Sequence, residues 1–270
     1  MTNTTLAPDP VRLLDMTGRK GLIVGIANAH SLAWAAARNC RAAGADLALT
    51  YLNDKAHPFV APLAQSVGAS ILLPCDVAHE GQLEAVFDSI ADTWGRLDFL
   101  VHAIAWAPAA DLHGRLTDCS AEGFAQAMQV SCHSFIRMAK LAEPLMAQGG
   151  SLTTLSFIGA ERVVDHYSLM GPVKAALETS VRYLAHELGP KGIRVNAISA
   201  GAVKTRAASG IEHFDELIRE TETKSPLRRT VTADEVGRAA LLLASDHTTA
   251  ITGEILHVDA GFHVDGMIFH

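Results

Sequence analysis

The chain has 270 residues, of which 49% are hydrophobic and 19% charged, and this composition predicts one large domain or two small ones with a substantial buried core. The formal net charge of −7 argues against bulk binding of nucleic acid, and no apolar run is long enough to span a membrane. Residues 1–16 are predicted to form a polar tail, which lacks the layout of a signal peptide. Four cysteines without paired spacing are typical of reduced thiols, so we predict a cytoplasmic protein.

Apolar, β-prone runs alternate with helical patterns along the chain. The predicted strands are 21–25, 45–51, 70–74, 97–103, 150–156, 193–199 and 255–258. The predicted helices are 31–43, 55–67, 80–94, 120–146, 172–188 and 232–245. Short apolar strands that are each followed by a longer helix predict an α/β fold, a Rossmann-like doubly wound parallel sheet with ligands at the carboxyl ends of the strands.

The chain shows no internal repeat and no linker that would divide it, so we predict a single domain over 1–270. The least regular segment is 204–230. Because it follows a strand that ends at Ser199, we expect it to overhang the ligand crevice as a substrate lid.

Thirteen histidines raise the question of a metal site. No His-x3-His or His-Glu-x2-His pattern occurs, and His186-Glu187 has no second histidine at the required spacing. We therefore predict no metal site.

The first predicted strand runs into a glycine turn that opens onto a helix. Gly25 is followed by Ala27, which stands where a full Gly-x-Gly-x-x-Gly fingerprint has its second glycine. Such a turn lets backbone amides approach a pyrophosphate, although a purely structural turn is about as frequent. Ser31 is placed either to cap the helix or to face a phosphate.

Two further strand ends bear on nucleotide recognition. The second strand ends in 51–55, where no arginine is present to pair with a 2′-phosphate, and this favours NADH over NADPH even though Lys55 is close. Asp76 ends the third strand and is suited either to an adenine amino group or to capping its own loop. The small residues of 103–108 at the end of the fourth strand leave room for a ligand.

Tyr167 and Lys174 stand seven residues apart, with Pro172 between them in what reads as the first turn of a helix. We expect Tyr167 on the loop before this helix and Lys174 on its first turn. A phenol and an ammonium on one surface suit hydride-transfer chemistry, since the phenol can stabilise an oxyanion and the ammonium can hold a ribose.

Together these runs resemble the short-chain dehydrogenase/reductase superfamily and, within it, the bacterial enoyl-acyl-carrier-protein reductases of the FabI type. The Tyr-x6-Lys spacing carries the resemblance, because most of the superfamily has Tyr-x3-Lys and position 170 here is Met. Further matching runs are 25–33, 50–51 with 53–55, 75–77, 159–162, 194–201, 207–211, 228–232 and 257–261.

The resemblance implies reduction of a trans-2-enoyl thioester by NADH in fatty-acid synthesis, with Tyr167 and Lys174 as catalytic residues and a homotetrameric assembly. It implies that the dinucleotide is bound by Gly25, Ser31, Leu32, Leu52, Asp76, Val77, Ala103, Ile104, Ala105, Lys174, Val203 and Thr205. The substrate would be bound by Ala107, Phe157 and Tyr167. Phe157 stands where these enzymes commonly have a second tyrosine, so it would shape the acyl pocket, and Ala105 stands where glycine is usual.

A third departure concerns the thioester donor. The resemblance implies an acidic carrier protein that docks on basic side chains of the lid helix, but this chain has Glu212, Asp215 and Glu216 there. Like charges weaken association, which would favour a paralogue acting on another carrier or on coenzyme A thioesters. Alternatively the carrier docks elsewhere on basic residues, namely Lys204, Arg206, Lys224, Arg228 or Arg229. Both interpretations stay open.

Two competing functions remain at this point. An alcohol dehydrogenase or ketoreductase on the same fold would need a hydroxyl partner for the tyrosine, which 153–156 could supply. A non-catalytic dinucleotide-binding regulator has the same fold, but the retention of both Tyr167 and Lys174 argues against it.

Overall fold

The computed structural model describes residues 14–205 and 214–265 and contains a seven-stranded parallel sheet in the order β3-β2-β1-β4-β5-β6-β7. The strands are β1 (Lys20–Val24), β2 (Asp46–Tyr51), β3 (Ile71–Pro74), β4 (Phe99–His102), β5 (Gly150–Ser156), β6 (Ile193–Ala200) and β7 (Ile255–Val258). The order reverses between β1 and β4, which places the switch point of a doubly wound fold there. The predicted fold class is confirmed.

Helices cover both faces of the sheet. They are α1 (Leu32–Ala42), α2 (His57–Ser66), α3 (Gln82–Trp94), α4 (Ala109–Leu112), α5 (Ala121–Met128), α6 (Ser134–Ala142), α7 (Met170–Leu188), α8 (Phe214–Lys224) and α9 (Ala233–Ala244). Adjacent strand residues point to opposite faces, so Leu22 packs into the core beneath α3, α6 and α7 while Ile23 packs into the core beneath α1, α2 and α9. Burial on both faces explains why the strands read as continuous apolar runs.

Two helical predictions need correction. The single helix predicted over 120–146 consists of α5, a π-helical segment (Gln129–His133), α6 and a final 3-10 turn. The segment 204–230, predicted as the least regular part of the chain, contains α8, which buries Thr221 and half-buries Phe214, Leu217 and Ile218 on the same face. These four residues stand at i, i+3, i+4 and i+7, so the sequence does carry a short amphipathic pattern, which the prediction of an irregular segment overlooked. Residues 206–213 and most of the predicted tail lie outside the described residues.

Among the described residues, no helix is long and apolar enough to cross a membrane. Within the same ranges, no group of three or more histidine, cysteine or acidic side chains is arranged to hold a metal ion.

Candidate functional site

The residues predicted for the site converge on the carboxyl edge of the sheet. Gly25 follows β1, Leu52 follows β2, Asp76 and Val77 follow β3, and Ala103, Ile104, Ala105 and Ala107 follow β4. Phe157 follows β5, Val203 and Thr205 follow β6, and Ser31 and Leu32 begin α1. Because the carboxyl ends of parallel strands share one edge, residues up to 180 positions apart in the chain lie at the same edge of the sheet.

Gly25 occupies a position that no other residue fits. Its φ is +102°, and a Cβ atom there would lie 2.2 Å from the carbonyl oxygen of Ala103. The turn after β1 therefore packs directly against the segment after β4. A side chain at this position would force the two segments apart.

Ser31 stands at the N-cap of α1, but its hydroxyl does not cap the helix. Ser31 Oγ donates to the carbonyl oxygen of Asn28 at 2.7 Å, and no side chain caps the first turn. The capping role offered by sequence analysis is therefore wrong. The first-turn amides of α1 are free of a side-chain cap at the end of the helix where the dipole favours an anion.

The segments after β2 and β3 are organised by their own side chains. Asn53 Oδ1 accepts from the amides of Lys55 and Ala56, and the side chain of Leu52 is exposed beside this turn. Asp76 Oδ1 accepts from the amide of Ala78 at 3.0 Å, so the loop-capping interpretation of Asp76 is confirmed. Its predicted contact with adenine stays a prediction.

Tyr167 lies in the turn before α7, as predicted, and is buried against the end of β5. Its ring packs on Phe157 with centroids 4.9 Å apart, and a Cβ on Gly159 would lie 2.3 Å from the ring. The flanking residues His166 and Ser168 both have positive φ, a conformation that costs free energy in residues other than glycine. Burial, and then the charge of Glu178, raise the pKa of Tyr167 above its usual range, so the phenol stays protonated at neutral pH.

Lys174 is the fifth residue of α7, one position beyond the predicted first turn, because the helix begins at Met170 rather than Pro172. Its side chain is 4% exposed, and Nζ donates to the carbonyl oxygen of Leu155 at 2.7 Å. Burial lowers the pKa of Lys174 to about 8. Since Leu155 and Phe157 are two residues apart, the ammonium and the phenol both contact the end of β5.

Two buried side chains in this region, one carboxylate and one imidazole, were not predicted from the sequence. Glu178, one turn beyond Lys174 on α7, is buried and accepts a hydrogen bond from Ser156 Oγ at 2.5 Å, and burial raises its pKa. His102 is buried between Thr154 Oγ1 at 2.8 Å and Ser134 Oγ at 2.9 Å, and burial lowers its pKa to about 3. The i, i+4 spacing from Lys174 on a helix with apolar neighbours could have revealed Glu178.

A cleft of about 550 Å³ borders the segment predicted to form a lid. It lies between the segment after β6 and one face of α8, and its lining includes Val203, Lys204, Ile218 and Arg219. Lys204 Nζ pairs with Asp215 Oδ1 at 2.7 Å and so connects the segment after β6 to α8.

A second cavity, of about 390 Å³, lies at the opposite, amino edge of the sheet. Its lining includes Arg19 and Arg96, which pair with Asp98 at 3.6 and 3.5 Å. This cavity is remote from the predicted site residues, and its cations already have acidic partners. We therefore place the candidate site at the carboxyl edge.

Comparison with known proteins gives one consistent family. A family model described as enoyl-(acyl carrier protein) reductase matches residues 25–263. An enoyl-[acyl-carrier-protein] reductase [NADH] of Rhizobium meliloti is 48% identical over 93% of both chains. The corresponding protein of Nostoc sp. is 47% identical over 94% of this chain and 100% of its own length.

Solved structures agree with this result. An enoyl-acyl-carrier-protein reductase from Anaplasma phagocytophilum, solved in complex with NAD, superposes with a TM-score of 0.90 at 50% identity and covers 94% of this chain and 97% of its own. A Bacillus cereus enoyl-acyl-carrier-protein reductase was solved with NADP+ and an indole naphthyridinone. It superposes with a TM-score of 0.91 at 42% identity and covers 94% of this chain and 99% of its own.

Proposed function

Because this chain belongs to the enoyl-(acyl carrier protein) reductase family, we propose that it reduces the trans-2 double bond of enoyl thioesters with NADH, in fatty-acid biosynthesis. The observation that carries the proposal is that a protonated phenol, Tyr167, and a buried ammonium, Lys174, both contact residues at the end of β5. This pair lies at the edge of the sheet where a doubly wound fold binds its ligands.

The residues present fit a dinucleotide. Gly25 allows a close approach of the segments after β1 and β4, and the first turn of α1 presents amides without a side-chain cap. NADH, when bound, supplies the hydride. Lys174 would hold the nicotinamide ribose, because its ammonium is buried at the base of the crevice with one of its three donors on Leu155.

The protein's own chemical contribution is stabilisation of negative charge on the substrate. Hydride addition at the β-carbon leaves an enolate on the thioester oxygen. The O–H of Tyr167 would donate to that oxygen, and its raised pKa keeps the proton in place to do so. Phe157, packed against the Tyr167 ring, supplies an apolar wall and no hydroxyl.

The hydrogen bonds of β5 disfavour a ketoreductase. That reaction needs a hydroxyl partner for the tyrosine, and two candidates in 153–156 are engaged elsewhere. Ser156 donates to Glu178, and Thr154, which lies on the same face of the sheet as Ser156, is hydrogen-bonded to His102. A third candidate, Thr153, adjoins Thr154 in the strand, so its side chain lies on the face of the sheet opposite to Thr154 and Tyr167.

The decisive experiment follows NADH oxidation with one trans-2-enoyl chain presented on carrier protein and on coenzyme A, with a 3-ketoacyl thioester as control. Turnover on either enoyl donor supports the proposal. Activity on the ketone alone would favour the dehydrogenase interpretation. Binding of NADH without any turnover would favour a regulator.

The charge of α8 bears on which donor is used. The helix carries four carboxylates, Asp215, Glu216, Glu220 and Glu222, and two cations, Arg219 and Lys224. Three of the basic residues considered for docking are already in ion pairs: Lys204 with Asp215, Lys224 with Glu220 and Arg229 with Glu235. Arg206 and Glu212 lie outside the described residues. We propose that α8 weakens association with an acidic carrier.

A charge reversal tests this proposal about α8. Asp215→Lys should lower the KM for the carrier substrate and leave the KM for the coenzyme A substrate less affected, and added salt should reduce the difference. Asp92→Lys, on the exposed side of α3, is the matched control for net charge. An unchanged carrier KM in Asp215→Lys would mean that the carrier docks away from α8.

We also propose a homotetramer in the cytoplasm. Tyr183 on α7 is 68% exposed and Phe124 on α5 is 40% exposed, and such apolar side chains are suited to burial against another copy. The four cysteines are free, which suits a reducing compartment. Light scattering should give about four times the 28.7 kDa chain mass. A monomer at micromolar concentration would contradict the proposal.

A further inference from the structure

The π-helical segment Gln129–His133 interrupts what would otherwise be one helix from α5 to α6. A π-helical turn accommodates an extra residue and changes which side chains point inward, and such turns are frequent at functional sites. Here two successive residues, Ser131 and Cys132, are both buried. Cys132 lies against α7, with Sγ 3.7 Å from Ser180 Oγ.

Ser131 points instead at the segment after β4. Its hydroxyl accepts from the backbone N–H of Trp106 at 2.8 Å and donates to the backbone carbonyl of the same residue at 2.8 Å. Ser131 is 0% exposed and lies 25 positions from Trp106 in the chain. One side chain therefore satisfies both polar groups of a residue that belongs to no helix or strand.

Trp106 lies between a residue expected to contact the cofactor and a residue expected to contact the substrate. Ala105, immediately before Trp106, is expected to contact the dinucleotide, and Ala107, immediately after it, is expected to contact the acyl chain. The Trp106 side chain is 49% exposed, so the hydrogen bonds to Ser131, rather than burial of the indole, fix this part of the segment.

We infer that Ser131 is a positioning residue for the reaction, which fixes the backbone at Trp106 so that the cofactor and acyl contacts on its two sides keep their relative placement. The inference rests on the proposed function for those two contacts. Displacements of about 1 Å in such a segment can cost on the order of 100-fold in rate. A serine that stabilised the fold alone would leave the balance between cofactor and substrate binding unchanged.

The test compares Ser131→Ala with Ser131→Thr, which keeps the hydroxyl, and with Ser180→Ala. The control suits the purpose because Ser180 Oγ bonds to Ala176 within α7 and to Cys132 of the same π-helical segment, but not to the segment after β4. Calorimetry at saturating NADH should show that Ser131→Ala weakens binding of a saturated acyl thioester about tenfold, while Ser131→Thr and Ser180→Ala stay within about twofold of the unchanged protein.

Binding is measured separately from turnover, so that failure of the proposed function can be distinguished from failure of the role assigned to Ser131. Wild-type protein that oxidises no NADH with enoyl thioesters would defeat the proposed function, whereas unchanged acyl and NADH binding in a less stable Ser131→Ala would overturn the role of Ser131. Ser131→Cys, with a larger and weaker hydrogen-bonding atom, covers the case in which Ser131→Ala does not fold. It should weaken acyl binding by an intermediate factor, and acyl binding equal to that of the wild type would also overturn the inference.

Discussion

The polar groups beneath the carboxyl end of β5 and the charged groups on α8 are built from similar residues in opposite environments. Lys174 is buried, bonds to a backbone carbonyl and has its pKa lowered to about 8. Lys224, at the end of α8, is partly exposed and pairs with Glu220 one helical turn away at 2.6 Å. In the first region, charges interact through a medium of low dielectric constant, and in the second they are screened by water.

This difference separates groups that can perform chemistry from groups that tune the surface. A buried donor or base has an altered pKa and fixed geometry, so its removal should change rate, binding or acid stability strongly. An exposed ion pair contributes little to stability, and its main effect is on association with charged partners. Substitutions should therefore have effects that decrease from the β5 region to α8.

The largest effect is expected at Tyr167. Replacing it by Phe keeps the ring against Phe157 but removes the O–H that would donate to the enolate, so kcat should fall by about 100- to 1000-fold. Steady-state NADH oxidation measures the change. Tyr183→Phe is the matched control, because it removes a hydroxyl from α7 away from β5 and keeps the ring that we propose to pack against another copy, so kcat should stay within about twofold. Equal kcat for both variants would remove Tyr167 from the mechanism.

The next effect concerns stability in acid. Burial lowers the pKa of His102 from 6.5 to about 3, so between these values the unfolded chain binds a proton that the folded protein excludes. By linkage, stability is full above pH 6.5 and falls as the pH decreases, by about 3 kcal/mol between pH 7 and pH 4.5 from this group. Urea unfolding at the two pH values measures the loss.

The contribution of His102 is isolated by His102→Asn, which cannot titrate. The variant should be less stable at pH 7, because it disrupts the bonds to Thr154 and Ser134, but it should lose less stability on acidification. The same pH dependence in both proteins would show that other groups cause the acid response.

Lys174→Ala should mainly weaken NADH binding. Loss of a charged donor to the ribose would raise the dissociation constant by about 10- to 100-fold. With its pKa lowered to about 8, Lys174 loses its charge as the pH rises through that value, so NADH affinity should decline above pH 8 in the wild type and not in the variant. Lys191→Ala, which removes an exposed cation, is the control. Retention of the pH dependence in Lys174→Ala would assign it to another group.

Features that local residue patterns encode could be predicted from the sequence. Apolar runs revealed the strands, and the rule for parallel sheets then placed Gly25, Asp76 and Phe157 on one edge before any contact was known. Tyr167 could be assigned to the loop before α7 because Pro172 favours the first turn of a helix.

Contacts that join distant parts of the chain could not be predicted in this way. The bonds from Ser131 to Trp106 and from Ser156 to Glu178 span 25 and 22 positions, and no local pattern encodes them. The N-cap position of Ser31 was correct, but its hydroxyl bonds to Asn28 instead of the helix. The preference of serine for helix N-termini identified Ser31 as the N-cap residue. The conformation of the turn after β1 determines that its hydroxyl contacts Asn28.

The smallest effect is expected on α8, where Lys224→Ala should change the free energy of unfolding by less than about 0.5 kcal/mol. The pair with Glu220 is partly exposed, so solvent screens it and the loss should decrease further at high salt. A double-mutant cycle with Glu220→Gln, measured by urea unfolding at low and high salt, isolates the pair. A coupling above about 1 kcal/mol that persisted in salt would place this pair in the same class as the buried groups beneath β5, because only a desolvated pair keeps its interaction when the solvent is ionic.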